Sequence, residues 1–340
     1  MKQHNQIVVI GTSRGGLEIL KVILSALPAD FPAPVLVAMH VGSHQSRLPQ
    51  LLSAVCKLEV RHATDAEIVK SGTILVAPPD RHMVVDGDKI RLILGAKENY
   101  SRPAIDPLFR SAAISHRDGV IGVILTGDLD DGTVGLQAIK ACGGVALVQD
   151  PNEAFAPSMP SSAITYVAID ACLPSSQIAD RLKSVVQRRL QGSVGAEGPT
   201  PTMIVENEIS LGLSLDSISS LDQVAPRSAM TCPECQGILW EMDSAPLRYR
   251  CHTGHTYGPG AMQSLQDQSI EEGLWAAVRA FHEKEVMMHR QHEAAAAAGR
   301  DEQANEYAMI ADQARRNGHS LRQLLQAASG QQSLDKKSQD

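Results

Sequence analysis

The sequence predicts an α/β fold with a doubly wound, mainly parallel sheet, followed by a small zinc-ribbon-like Cys/His module and a helical hairpin. Three observations carry this expectation. Short β-rich runs alternate with helical patterns from residue 6 to about residue 190, as βαβ units require. The run at residues 120–125, VIGVIL, is almost wholly apolar, as in a strand covered on both faces. Three of the runs end in loops that hold a serine, a histidine and an aspartate. In a doubly wound sheet the carboxyl ends of parallel strands line one crevice, where such residues would meet.

The elements follow in order. Residues 7–10 (IVVI) pass through glycines into a helical pattern at 17–27, and residues 35–39 (VLVAM) lead into another at 47–55. The runs at 72–77 and 88–94 bracket a hairpin that includes 82–85. A helix is expected at 106–116 with Asp106 near its start, then a strand at 120–125, a helix at 133–141 and a strand at 144–149. A helix over 175–190 closes a first domain of residues 1–190. Residues 191–229 open with the Gly- and Pro-rich QGSVGAEGPTP and predict a flexible linker. Residues 230–260 form the Cys/His block. Residues 261–330, rich in Ala, Gln, Glu and Arg, predict two helices broken near Gly299, with Leu274, Val278, Phe281 and Val286 at helical spacing.

Composition excludes several classes. A net charge of -7 argues against a nucleic-acid binder, whose surface should be basic. No apolar run approaches the roughly 18 residues that span a bilayer, so no direct membrane insertion is expected. The first residues show no signal-peptide pattern, and a cytoplasmic location is expected. Cys56, Cys142 and Cys172 lie in apolar contexts and read as buried small hydrophobes.

Gly11-Thr12-Ser13-Arg14-Gly15 fits the G-x-S-x-G pattern of a strand-to-helix turn that exposes a serine oxygen. It lacks the G-x-G-x-x-G fingerprint of a dinucleotide site, and no suitable ribose-binding acid follows, which disfavours a nucleotide-binding module. His40 ends the second run. Adjacent strands lie about 4.8 Å apart, so a histidine there can reach the serine. The third loop offers Asp128, Asp130 and Asp131, and its position alone does not choose among them. The acid that orients the histidine is expected to face the ring's Nδ1. The order Ser, His, Asp differs from the Ser, Asp, His order of α/β-hydrolases.

These residues resemble the catalytic domain of the chemotaxis protein-glutamate methylesterase (CheB-type) family. The resemblance covers roughly residues 5–190. It rests on residues 8–16 (VVIGTSRGG), 38–40 (AMH), 77–84 (APPDRHMV), 101–109 (SRPAIDPLF) and 125–132 (LTGDLDDG). It implies a Ser-His-Asp hydrolase that removes methyl esters from γ-glutamyl positions on the cytoplasmic helices of methylated chemoreceptors, and often deamidates receptor glutamines. Carried over by motif, it implies Ser13 as nucleophile, His40 as general base and Asp131 as the acid, with the backbone N–H of Asp128 in the oxyanion hole and no cofactor for catalysis. The chain starts directly at the catalytic strand, so gating by a phospho-accepting receiver domain in the same chain is not expected.

Two positions depart from the family pattern: Arg14 where threonine is usual, and Asp128-Leu129 where Met-Gly is usual. A carboxylate near a developing oxyanion opposes it unless it points outward or pairs, and Arg14 is the expected partner of Asp128. Exchanging Asp128 for Met should then leave the esterase rate unchanged or raise it, as steady-state methanol release would read; a large fall would contradict the repulsion. The alternative to an active enzyme is a catalytically weakened signalling scaffold on the same fold.

Cys232 and Cys235 form a C-x₂-C turn, and fifteen residues separate Cys235 from Cys251. This spacing predicts a closed, structural zinc site. The fourth ligand is His252 or His255. Adjacent residues on a strand face opposite ways, which favours His255. The C-terminal helices are expected either to pack on the catalytic domain or to offer a surface for a partner or for self-association.

Overall fold

The structure, a computed structural model, describes residues 6–42, 44–189 and 198–337. The chain divides into two compact units, Met1–Met262 and Gln263–Asp340.

The first unit begins with β1 (Ile7–Thr12), α1 (Gly16–Ser25), β2 (Val35–Met39), α2 (Leu48–Ser53), β3 (Glu59–His62) and β4 (Thr73–Val76). A hairpin of β5 (His82–Asp86) and β6 (Lys89–Ile93) precedes α3 (Ile105–His116). The chain continues through β7 (Val120–Ile124), α4 (Thr133–Ala141), β8 (Val145–Gln149), α5 (Ser158–Tyr166), β9 (Ala171–Leu173) and α6 (Ser175–Arg189). Seven strands make one sheet in the order β3-β4-β2-β1-β7-β8-β9, and every pairing in it is parallel. The run at 72–77 belongs to this sheet, so the hairpin is β5–β6 alone.

The two faces of the sheet bury separate cores, as strand alternation dictates. Ile7 and Val9 of β1 face Leu108 and Phe109 of α3 and Leu136 of α4. Val8 and Ile10 face Leu20, Ile23 and Leu24 of α1 and Leu182 and Val186 of α6. Strand order reverses at β1, with β2 on one side and β7 on the other. This is the switch point where ligand crevices form in open α/β sheets.

The expectation of a flexible linker over 191–229 is corrected. Residues 191–197 lie outside the described residues, but α7 (Pro201–Leu211) and α8 (Ser217–Asp222) follow at once. Thr200 caps α7 by accepting from the Met203 N–H at 3.3 Å, and Pro201 occupies the first turn. The Gly-Pro-Thr-Pro composition that suggests a linker is here a helix start, because proline at the first helical position gives up a donor that has no partner anyway. The Cys/His block is also not a separate domain. Its four-stranded antiparallel sheet, β10 (Arg227–Thr231), β11 (Ile238–Ser244), β12 (Leu247–Cys251) and β13 (Thr256–Tyr257), lies within the first compact unit.

A buried ion cluster joins this sheet to the α/β layers. Arg248 of β12 donates to both carboxylate oxygens of Glu206 on α7, at 2.6 and 3.0 Å. Arg110 of α3 donates to both oxygens of Glu98 at 3.1 Å. Arg250 reaches Glu98 and Glu206 at 3.3 and 3.4 Å. Removing one partner of a buried pair strands the other's charge, so Glu206→Ala should lower unfolding stability by about 3–5 kcal/mol in a denaturant titration. Burial opposes the Glu206 charge, but Arg248, Arg110 and Arg250 overcome it and hold the carboxyl down at about 2. Its folded value is depressed, so its contribution is present above the unfolded carboxylate range and is lost as pH falls from about 4.5 towards 2. The wild type should therefore lose stability through that window more steeply than the alanine variant.

In the second unit, α9 (Pro259–Ala297), whose first turn belongs to the first unit, and α10 (Asp301–Lys337) form the hairpin. Gly299 sits in the left-handed region at φ 68, and the Arg300 N–H donates to the Ala295 carbonyl at 3.0 Å, closing the first helix. A Cβ at Gly318 would lie 3.4 Å from Phe281 Cβ, so the helices approach closely there. No helix among the described residues is long and apolar enough to cross a membrane.

Candidate active site

Parallel register brings the three loops together. Thr12 pairs with Met39 across β1 and β2, so Ser13 and His40 emerge side by side. Gly11 pairs with Ile124 across β1 and β7, and the Ser13 N–H donates to the Thr126 carbonyl at 2.9 Å. The turn after Ser13 needs glycine twice. Gly15 has φ 80, and a Cβ on Gly16 would lie 2.2 Å from the Thr12 hydroxyl.

The His40 Nε2–H donates to Asp131 Oδ2 at 2.6 Å, which leaves Nδ1 to accept from the Ser13 hydroxyl at 3.1 Å. The ring is thus turned opposite to the expectation that the acid faces Nδ1. Strand order explains it. Ser13 leaves the strand adjacent to His40, within reach of the nitrogen nearer the backbone. Asp131 follows a strand two places away, about 10 Å off at the usual spacing, and only the outer nitrogen reaches it.

The three acids of the loop separate cleanly. Asp128 is about half exposed and pairs with Arg14, whose guanidinium also lies 5.7 Å from the Phe155 ring centre. Asp130 packs against Gly258, where a Cβ would lie 1.8 Å from its Oδ2. Burial, and then the charge of Asp131, push the Asp130 carboxyl up to about 6. Asp131 is buried on the histidine. It accepts from the Ile105 N–H at 2.7 Å, the Asp106 N–H at 3.1 Å and the Asn99 amide at 2.7 Å, as well as from His40. Two of these donors are the first N–H groups of α3, so the carboxylate caps a helix N-terminus and meets the positive end of its dipole. Burial works against its charge, but the bond and charge of His40, the Ile105 N–H and the Asn99 amide hold it below the usual carboxylate range.

Asn99 carries no local signal in the sequence, and Asp106 is read there only as a helix start. Asn99 is buried and bridges Asp131 and Asp106, donating to Asp106 Oδ2 at 2.6 Å. Asp106 accepts a second bond from the Gly135 N–H at 2.6 Å. Burial, and then the adjacent Asp131, push its carboxyl well above the usual range. Asn99 holds φ 50, and its neighbour Tyr100 holds φ 64. Two left-handed residues in a row on a loop ahead of a helix would have been the clue, and only coordinates reveal them.

In the Cys/His module, one ligand atom each from Cys232, Cys235, Cys251 and His255 lie within 4.8 Å of one another. The separations are 3.7 Å for Cys235–Cys251, 3.7 Å for Cys232–His255 and 3.4 Å for Cys251–His255. Zinc–sulfur bonds of about 2.3 Å put tetrahedral sulfurs about 3.8 Å apart, so these edges fit. Glu234 lies 3.3 Å from His255 Nε2, the usual place for a carboxylate that orients a metal-bound imidazole. His252 lies instead against Gly237, where a Cβ would meet its ring at 2.5 Å.

A doubly wound α/β domain with serine, histidine and aspartate hydrogen-bonded along one sheet edge is the class of protein this geometry defines. Residues 8–182 match the CheB methylesterase family model, and the chain belongs to that family. It is 39% identical over 186 residues to a putative protein-glutamate methylesterase/protein-glutamine glutaminase of Leptospira interrogans, covering 54% of this chain and 96% of that one. It is 36% identical over 182 residues to the protein-glutamate methylesterase/protein-glutamine glutaminase of Trichodesmium erythraeum, covering 52% of each, so it spans about half of that relative's length. The crystal structure of the Thermotoga maritima CheB methylesterase catalytic domain superposes with a TM-score of 0.51 at 35% identity, covering 53% of this chain and 98% of that one. The Cys/His module and the helical hairpin lie beyond the family match.

Proposed function

We propose that this protein is a protein-glutamate methylesterase acting on γ-glutamyl methyl esters of chemoreceptor helices, with glutamine deamidation as the related amide reaction. The observation that carries it is the unbroken chain of hydrogen bonds from Ser13 through His40 to Asp131. The names of the Leptospira and Trichodesmium relatives support the substrate class.

In this reading Ser13 Oγ attacks the ester carbonyl and its proton passes to His40 Nδ1. Asp131 stabilises the resulting imidazolium and holds the ring. The Asp128 N–H has no acceptor among the described residues and is free to meet the oxyanion. Collapse breaks the ester C–O bond, and methanol leaves with the proton from His40. Water, deprotonated by the same nitrogen, then releases the glutamate and restores Ser13. The test is methanol release from a methylated receptor helix. Its absence from wild-type protein would overturn the assignment. The Arg14–Asp128 pair weakens the scaffold alternative, because it compensates the Asp128 charge that would otherwise oppose an oxyanion.

Cys232, Cys235, Cys251 and His255 are proposed to hold one structural zinc ion. Four protein donors leave no open position, which suits a structural role. Protein purified under reducing conditions should carry about one equivalent of zinc, and less than about half would overturn the site.

A further inference from the structure

We infer that Asn99 is a positioning residue for the triad acid, and that the metal held by the Cys/His module sets its place. The inference rests on the reading of Ser13, His40 and Asp131 as a triad and of the four-ligand cluster as a zinc site.

Two of the residues that touch the loop at 98–99 flank zinc ligands, while Arg110 and Ser210 hold Glu98 from α3 and α7. Thr256, next to His255, accepts the Asn99 N–H on its carbonyl at 2.9 Å and on its hydroxyl at 3.2 Å. Arg250, next to Cys251, pairs with Glu98 at 3.3 Å. The Cys251 N–H donates to the His255 carbonyl at 3.0 Å, so the two ligands close one tight loop. The far end of this connection is the Asn99 side chain, whose amide donates to Asp131 Oδ1 and Asp106 Oδ2 at once. Both hydrogens of one NH₂ group are thereby used to hold two buried carboxyl groups apart.

Asparagine tolerates the left-handed region, but the tyrosine that follows it there does not, so the loop needs holding from outside. The Asn99 backbone is held from the module, and its amide then fixes the oxygen of Asp131 that His40 does not use. A bound metal would order the loop between Cys251 and His255. It would therefore act on the triad acid through Thr256, without touching substrate. The metal is a brace in this scheme and takes no part in the chemistry.

The test compares wild type with Asn99→Gly, each with zinc and after removal of zinc by a chelator. Glycine still reaches the left-handed backbone and removes the side chain that carries the amide. Two readouts are taken: kcat and KM for methanol release, and the proton resonance of the His40 Nε2–H in histidine-labelled protein. With zinc bound, Asn99→Gly should lower kcat about tenfold to a hundredfold, the effect of losing one hydrogen bond to a charged group, with KM and zinc content unchanged. The His40 resonance should move from its wild-type position. Zinc removal should produce the same two changes in wild type and little further change in Asn99→Gly, because the two perturbations share one route. Equal effects of zinc removal on both proteins, or an unshifted resonance in Asn99→Gly, would overturn the inference. If wild type releases no methanol, the substrate reading fails, and the resonance still decides the role of Asn99. If Asn99→Gly melts too low to assay, the wild-type resonance with and without zinc decides it instead.

Discussion

Replacing Ser13 with alanine is expected to lower methanol release by about 10⁴-fold or more while leaving the fold intact. The size follows from how the three groups work together. Without the hydroxyl there is no acyl-enzyme, and what remains is the binding and oxyanion stabilisation that the site still provides. The fold should survive because the Ser13 side chain bonds only to His40 among the described residues, while its backbone is held independently by Thr126. The measurement is turnover on a methylated receptor helix, with a thermal melt beside it. An unchanged melt with wild-type-like turnover would remove Ser13 from the nucleophile role.

Asp131→Asn should cost nearly as much, about 10⁴-fold in turnover, for a different reason. The carboxylate accepts from four donors and offers none. An amide in its place must turn its NH₂ towards one side. If it faces His40, the imidazole moves its proton to Nδ1, the nitrogen that faces Ser13, and can no longer take the serine proton. If it takes the place of Oδ1, the Asn99 amide and the Asp106 N–H lose their acceptor at a buried helix start. The first case also strands the Ile105 N–H, which shares that oxygen with His40, so both cases lower stability as well as kcat, and the first acts on kcat directly through the tautomer. Turnover within about tenfold of wild type would show that Asp131 does not govern the histidine.

Much of this was legible along the chain. The alternation of apolar runs and helical patterns specified the α/β layers, because a strand buried on both faces has no polar positions to spare. The linked motifs around Ser13, His40 and Asp131 indicated which strand ends matter. The segment after residue 198 was misread because Gly, Pro and Thr serve equally as linker residues and as the start of a helix. Only packing tells the two apart, and here Met203 and Glu206 are buried.

The ring orientation of His40 was decided by strand order, a property of the sheet and not of any local segment. Asn99, Glu98, Arg110 and Arg250 came together for a similar reason: their partners lie far away in sequence, and Arg250 is 152 positions from Glu98. Local sequence determined which elements form and which side chains stand at their ends, because backbone propensity and apolar spacing act over a few residues. Tertiary structure alone decided which nitrogen meets which oxygen and what holds the acid in place, because hydrogen bonds and buried charges take their partners from whatever the fold brings within about 3 Å.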